Sequence, residues 1–395
     1  MIVISKKLNI ILKNVFLVFC SLLIALIIAE VIARLFVDSS SQGPINNIYK
    51  FHEFDSKLGW KNKSNYSGTF EREEFKYNVS TNSEGMRYKE IQKDRLNNKK
   101  RIAVMGDSFT YGVGVKDSDR FTDIVENKSN DKYEVLNFGV SGYGPLRYLI
   151  QLDKILEFHP DIVLLTFCLG NDFADNVFFN RYGYYGPFTI LDNKPEIEIY
   201  GYPIPKIAEF YNSIETTYPF LNSFLEKFKL YYLTNLFIRK LNTEKIGRNF
   251  TYTNQKQYSQ SGHLGADENQ KDIYEPNHSN NSKSFGLDLA VVNKKILSKI
   301  SDRLAEQNVK FSIIVAPTKC EYNQCFPSSL KEQDNKGNNN NARNLLLNDL
   351  RDLGIHYIDS TDSINLNDFW ELDGHWKPSG HFKISNDILK WLSNI

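Results

Sequence analysis

The chain has 395 residues, enough to bury one large core, or one core with a sizeable insertion. Its 48 basic and 47 acidic residues nearly cancel, so no charge excess indicates nucleic acid as a partner. Aromatic residues make up 13% of the sequence, which excludes a wholly disordered protein. The four cysteines lack zinc-type spacing, although Cys320 and Cys325 are close enough in sequence to form a local disulfide or to remain reduced.

The N-terminal region contains a long apolar segment, from about Asn14 to Val37. It exceeds the roughly 20 residues that a membrane-spanning helix needs. A cleaved signal peptide and a buried core helix are the alternatives, but no small-residue cleavage site follows Ala29. Three lysines precede the segment, which favours a cytoplasmic N-terminus: Lys6, Lys7 and Lys13. We therefore predict that residues 1–37 are a single-pass membrane anchor and that the rest of the chain is extracytoplasmic, meaning periplasmic or at the cell surface in a bacterium.

Residues 38–100 are polar and mixed, with short strand-like segments around Leu58–Trp60 and Tyr77–Arg87. We interpret them as a lead-in to the main domain rather than as a domain.

From residue 101 onward, short apolar segments alternate with helical patterns. The predicted strands are Arg101–Met105, Tyr133–Phe138, Asp161–Phe167, Lys310–Ala316 and Ile355–Ile358. The predicted helices are Arg120–Asn127, Leu146–Phe158, Asp288–Gln307 and Asn341–Leu353. This alternation predicts an α/β fold with a parallel sheet covered on both faces. In such sheets, ligand sites form at the carboxyl ends of the strands.

An insertion at about residues 173–284 interrupts the alternation after the third strand. Its first part is aromatic, Tyr211–Leu241 holds helical pieces, and Thr251–Ser284 has the composition of a polar loop. The insertion is either a lid or substrate platform, or a surface for a partner.

Four short motifs carry candidate chemistry. The first three each follow a predicted strand: Gly106-Asp107-Ser108, Asn137–Gly144 and Leu169–Asp172. The fourth, Asp373–His381, lies near the C-terminus. A serine at a strand-to-helix turn is a candidate nucleophile, although most serines in that position are helix N-caps.

Acyl transfer by a serine needs a base, an acid that orients the base, and donors for the oxyanion. Ser108 supplies the hydroxyl, His375 an imidazole, and Asp373 a carboxylate two residues before it. The backbone N–H groups of Ser108 and Gly142 and the amide of Asn171 are three candidate oxyanion donors. Each residue alone has an ordinary structural interpretation, but their common order in one chain indicates a serine hydrolase.

This order of motifs resembles that of the SGNH hydrolases, the GDSL esterase and lipase superfamily. The superfamily is named for four conserved blocks, which match Ser108, Gly142, Asn171 and His375. The resemblance covers about residues 101–172 and 285–395. It implies a three-layer αβα, flavodoxin-like fold with five parallel strands, a serine nucleophile, and neither a metal nor a cofactor.

The spacing Asp373-x-His375 departs from the usual Asp-x-x-His of the family, and Trp376 follows it. This variant resembles that of O-acetyltransferases and acetylesterases that act on envelope polysaccharides. Asp368 and His381 remain alternatives for the acid and the base.

The resemblance implies an esterase or O-acyltransferase that acts outside the cytoplasm on ester-linked acyl groups, expected to be acetyl groups of a glycan. Two alternatives stay open. One is a lipase or thioesterase whose aromatic insertion binds a longer acyl chain. The other is a non-catalytic protein of glycan binding or assembly.

Overall fold

The computed structural model describes residues 2–36, 51–95, 98–177, 180–181, 184–189, 196–201, 282–323 and 341–395. The chain divides into two compact units. The first comprises Met1–Asn46 and Phe210–Tyr252, and its described part is helix α1, Ile2–Phe36. The second comprises Asn47–Glu209 and Thr253–Ile395, and it contains every element introduced below.

Helix α1 is apolar over Leu12–Leu35, with a mean hydropathy of 3.0. These 24 residues are sufficient to cross a membrane by length and composition, as an N-terminal signal sequence also is.

Two antiparallel hairpins begin the second unit. Strands β1 (His52–Asp55) and β2 (Gly59–Asn62) form the first, and β3 (Ser67–Glu71) and β4 (Lys76–Ser80) form the second. In β4 the side chains alternate between buried and exposed, so one face of this hairpin packs inward and the other meets solvent. Trp60 is fully buried and donates its indole N–H to the carbonyl of Ser141, which attaches the first hairpin to the main sheet's loops.

The remaining strands form the main sheet and one small ribbon. They are β5 (Lys100–Gly106), β6 (Tyr133–Asn137), β7 (Ile162–Cys168), β8 (Asn180–Arg181), β9 (Tyr184–Tyr185), β10 (Lys310–Ala316) and β11 (His356–Asp359). The order β11-β10-β7-β5-β6 makes a five-stranded parallel sheet, which confirms the predicted fold class. Every residue of β7 is buried, as a central strand covered on both faces requires.

Helices cover both faces of this sheet. They are α2 (Ser108–Tyr111), α3 (Phe121–Lys128), α4 (Pro145–Leu156), α5 (Asp172–Asp175), α6 (Ser282–Glu306), α7 (Lys319–Asn323), α8 (Asn341–Asp352) and α9 (Pro378–Leu392). Helix α3 packs against α9 in one layer, and α6 packs against α4 and α8 in the other. Helix α6 begins at Ser282, within the segment predicted as a loop.

Part of the predicted insertion is described: helix α5, the β8–β9 ribbon, and a bridge between Phe188 and Tyr200. The predicted helical pieces in Tyr211–Leu241, the loop from Thr251 to residue 281, and Cys325 lie outside the described residues.

Candidate active site

Three of the four motifs meet at one edge of the sheet because their strands are neighbours. Strand β5 lies between β6 and β7, and all three run in parallel. Ser108 follows the end of β5, Gly142 follows β6, and Asn171 follows β7. Their loops therefore emerge at the carboxyl edge of the sheet, where α/β proteins place their sites.

The turn after β5 presents Ser108 as the first residue of α2. Asp107 is the N-cap of this helix, and its Oδ1 accepts the backbone N–H of Phe109 at 2.9 Å. The cap is therefore Asp107 rather than Ser108. A Cβ atom on Gly106 would lie 2.3 Å from Oγ1 of Thr110, so only glycine lets the turn pack this closely.

His375 reaches Ser108 from the far end of the chain. Its Nε2 lies 2.7 Å from Oγ of Ser108, and its Nδ1 forms a hydrogen bond with Oδ1 of Asp373. The residue between the two, Gly374, has a φ of +80°, a left-handed conformation that glycine adopts without strain. This conformation allows the Asp-x-His spacing to bring the carboxylate and the imidazole together on one short turn.

The surroundings of His375 fix its protonation. Burial lowers the pKa of its imidazole, Arg72 lowers it further, and Asp107 opposes both. The ring is therefore neutral near pH 7. Since a carboxylate can only accept, Nδ1 carries the proton toward Asp373, and Nε2 is left to accept the hydroxyl proton of Ser108.

The two alternative residues have other contacts. Asp368 accepts hydrogen bonds from Ser379 and Lys383, both at 2.7 Å. His381 is buried, its ring stacks on Phe121, and its Nδ1 accepts the backbone N–H of that residue at 3.4 Å. These contacts fix the position of helix α9. It is His375 that lies within hydrogen-bond distance of Ser108.

Trp376 belongs to the core beneath the site. It is fully buried, and its indole N–H donates to the carbonyl of Pro317 at 3.1 Å. Its ring packs edge-on against Phe109 with centroids 4.7 Å apart, and Phe109 in turn lies 5.0 Å from the ring of His375. Trp376 thus supports the ring of His375 through Phe109.

The candidate oxyanion donors occupy the neighbouring loops. Asn171 precedes α5, but its side chain does not cap that helix. Its amide nitrogen donates to Oδ2 of Asp175 at 2.7 Å and lies 3.4 Å from Oδ1 of Asp172. Gly142 is buried in the turn after β6. The backbone N–H of Ser108 lies in the first turn of α2, where no carbonyl four residues earlier can accept it within the helix.

Two side chains from the lead-in region contact Asp373, and no sequence pattern had indicated either of them as a site residue. Arg72 forms an ion pair with Oδ2 of Asp373. Glu74 accepts the backbone N–H of Asp373 at 2.8 Å. Both lie in the polar loop between β3 and β4, which has neither a motif nor a period. Among the described residues, no group of His, Cys, Asp and Glu side chains could hold a metal ion.

Residues 104–217 match the model of the GDSL-like Lipase/Acylhydrolase family. The matched residues include Ser108, Gly142 and Asn171. Asp373 and His375 lie beyond them. No curated protein sequence matches the chain.

The chain is also similar to several solved structures at low identity. TesA is 9% identical, with 75% of this chain and 99% of that chain covered and a TM-score of 0.38. The acetyl xylan esterase AlAXEase is 12% identical, with coverage of 75% and 100% and a TM-score of 0.38. A GDSL-like lipase from Bacteroides thetaiotaomicron is 8% identical, with coverage of 77% and 92% and a TM-score of 0.35.

Proposed function

We propose that this protein is a serine-dependent esterase or O-acyltransferase with Ser108 as its nucleophile. The observation that carries the proposal is the continuous hydrogen-bonded array from Oγ of Ser108 through His375 to Asp373. A hydroxyl, a neutral imidazole and a buried carboxylate in this order are the parts that covalent acyl transfer needs.

In the first half of the reaction, Oγ of Ser108 attacks the carbonyl carbon of the ester while Nε2 of His375 takes the hydroxyl proton. Asp373 stabilises the resulting imidazolium. The negative oxygen of the tetrahedral intermediate is stabilised by the N–H groups of Ser108, Gly142 and Asn171. When the intermediate collapses, the C–O bond to the leaving alcohol breaks, the alcohol takes the proton from His375, and the acyl group stays on Ser108.

In the second half, an acceptor hydroxyl attacks the acyl-serine and gives its proton to His375. The C–O bond to Oγ of Ser108 then breaks, and Oγ takes the proton back from His375, which restores the free serine. Water as the acceptor makes the protein an esterase, and a sugar hydroxyl makes it a transferase. We propose acetyl groups on an extracytoplasmic carbohydrate as the substrate, based on the Asp-x-His-Trp sequence and on helix α1 as a single-pass anchor with a cytoplasmic N-terminus.

The decisive experiment measures p-nitrophenyl acetate cleavage by the full chain in detergent, before and after the change Ser108→Ala. We expect loss of nearly all activity, and labelling of the unaltered protein but not the variant by a fluorophosphonate. A variant as active as the unaltered protein would disprove the role of Ser108.

Two further measurements define the acyl group and the acceptor. A series of p-nitrophenyl esters of increasing chain length should be cleaved best at acetate, whereas an optimum at long chains would favour a lipase or thioesterase. With an oligosaccharide added, a transferase releases more p-nitrophenol than free acetate, and an esterase releases equal amounts.

A further inference from the structure

The loop between β3 and β4 meets the turn that carries the acid and the base. The carboxylate of Asp373 has two partners. Its Oδ1 forms a hydrogen bond with His375, and its Oδ2 forms an ion pair with the guanidinium of Arg72. The side chain of Asp373 is only 2% exposed. An unpaired carboxylate buried to this extent is costly, so Arg72 stabilises the ionised form that His375 requires.

Glu74 holds the backbone of the same turn. Its carboxylate accepts three successive N–H groups, from Glu371 at 2.6 Å and from Leu372 and Asp373 at 2.8 Å each. The turn has two backbone hydrogen bonds of its own, from the N–H of Trp370 to the carbonyl of His375 at 2.8 Å and from the N–H of Gly374 to the carbonyl of Trp370 at 3.2 Å. Glu74 satisfies three further backbone N–H groups of the turn. A side chain almost 300 positions away therefore helps to hold the turn of the Asp-x-His pair.

Apolar packing joins the loop to the turn. Phe75 is buried, and its ring lies 5.3 Å from that of Trp370, the residue directly before the turn. The backbone N–H of Arg72 donates to the carbonyl of Phe75 at 2.9 Å, which closes the loop. The guanidinium of Arg72 also lies 5.4 Å from the ring of Phe70. The packing of Phe75 on Trp370 and the backbone hydrogen bond thus hold the loop in place without the charged groups of Arg72 and Glu74.

We propose that Arg72 and Glu74 are positioning residues of the reaction, Arg72 through the carboxylate of Asp373 and Glu74 through the backbone of the turn. The inference rests on the proposed esterase function. According to this proposal, the β3–β4 hairpin is part of the active site. Arg72 influences how readily His375 takes a proton.

The direction of this effect follows from the charges around the ring. The groups that face His375 are Asp373, Arg72 and Asp107, together with the neutral His381. Removing the cation leaves two carboxylates beside the imidazole, which favours the protonated form. The pKa of His375 must then rise.

The test is a titration of histidine in the full chain, labelled at its histidine side chains and followed by NMR in detergent. The chain has seven histidines, and the change His375→Asn assigns the signal. We expect Arg72→Gln to raise the pKa of His375 by about one unit or more. Arg72→Lys keeps the charge and should shift it less. Lys76→Gln, in the same hairpin and 64% exposed, is the matched control and should leave it unchanged.

For Glu74 the measured quantities are kcat and KM for p-nitrophenyl acetate, determined separately. Glu74→Ala should lower kcat about tenfold or more with little change in KM, because misplacing a catalytic group slows the chemical step. Glu73→Gln, exposed in the same loop, should leave both unchanged. Near-ultraviolet circular dichroism verifies that each variant is folded.

The two proposals fail in different ways. If ester cleavage does not depend on Ser108, the proposed function is wrong, while the titration of His375 still decides the role of Arg72. An identical pKa of His375 in Arg72→Gln and in the unaltered, equally folded protein would overturn the inference about Arg72. A folded Glu74→Ala variant with unaltered kcat, in a protein whose cleavage depends on Ser108, would overturn the inference about Glu74.

Discussion

The amide nitrogen of Asn171 lies 2.7 Å from Oδ2 of Asp175, and this contact fixes which way the amide points. Since an ionised carboxylate can only accept, the nitrogen rather than the oxygen must face it. Its second hydrogen is directed at Oδ1 of Asp172 over a longer distance of 3.4 Å, a weaker contact that an oxyanion in the site would replace. We expect Asn171→Ala to lower kcat for p-nitrophenyl acetate by about 10²–10³-fold, the usual effect of removing one oxyanion donor.

Two further variants test this assignment. Asp175→Asn can accept or donate, so it should allow the amide to turn over and cause a smaller loss than Asn171→Ala. Asn367→Ala, on the exposed surface, should be fully active. If Asn171→Ala were as active as that control, Asn171 would have no part in the oxyanion site.

Gly374 and Gly354 make a matched pair for testing the turn. Both have positive φ, +80° and +63°, and nothing lies within 4 Å of a Cβ added to Gly354. Alanine in this conformation costs about 1–2 kcal/mol at either position. We expect Gly374→Ala and Gly354→Ala to lose similar stability by denaturant unfolding, but only Gly374→Ala to lose kcat. Equal activity in both would contradict the dependence of His375 on this turn.

Trp376 should matter for stability more than for catalysis. Trp376→Phe removes the hydrogen bond to the buried carbonyl of Pro317 and leaves it without that donor, at a cost of about 1–3 kcal/mol. We expect a lower midpoint of thermal unfolding, and nearly unaltered KM for p-nitrophenyl acetate at temperatures where the variant is folded. A large rise in KM of the folded variant would instead indicate that Trp376 contacts the substrate.

Buried histidines should make the protein sensitive to acid. Burial lowers the pKa of both His52 and His381 to about 3, from 6.5. Between about pH 3 and pH 6.5, the unfolded chain therefore binds protons at these two histidines and the folded chain does not. The stability that depends on their neutral form is present above about pH 6.5 and is lost as the pH falls toward 3, by up to about 1.4 kcal/mol per pH unit for each group.

The measurement is the free energy of unfolding in denaturant at pH 7 and at pH 5. We expect the lower value at pH 5, and a smaller difference between the two pH values for His381→Asn. A difference that this variant leaves unaltered would mean that other groups cause the acid sensitivity.

The sheet was predictable because its central strands are buried on both faces. The central strand Ile162–Cys168 is buried throughout and almost entirely apolar, and a run of that length between helical patterns has few alternatives. Ser108, Gly142 and Asn171 were placed at one edge by the same logic, since each follows a strand of a parallel sheet. The helix cap after β5 was not predicted as Asp107, because Asp and Ser both cap helices well.

Arg72 and Glu74 could not be predicted from the sequence. A charged residue in a polar loop belongs to no periodic pattern and no motif, and most such residues are simply exposed to solvent. Their role depends on a packing contact between Phe75 and Trp370, nearly 300 positions apart, which only tertiary structure makes visible.

The turn at residues 371–375 is contacted by residues from a distant, earlier part of the chain. Ser108 and the hairpin loop at residues 72–75 are synthesised early, whereas the base that completes the array is 267 positions beyond the nucleophile. A growing or truncated chain thus contains Ser108 without His375, and under the proposed mechanism ester cleavage begins only when residues 371–375 dock. Under that mechanism, turnover of an ester would directly report whether the protein has completed its fold.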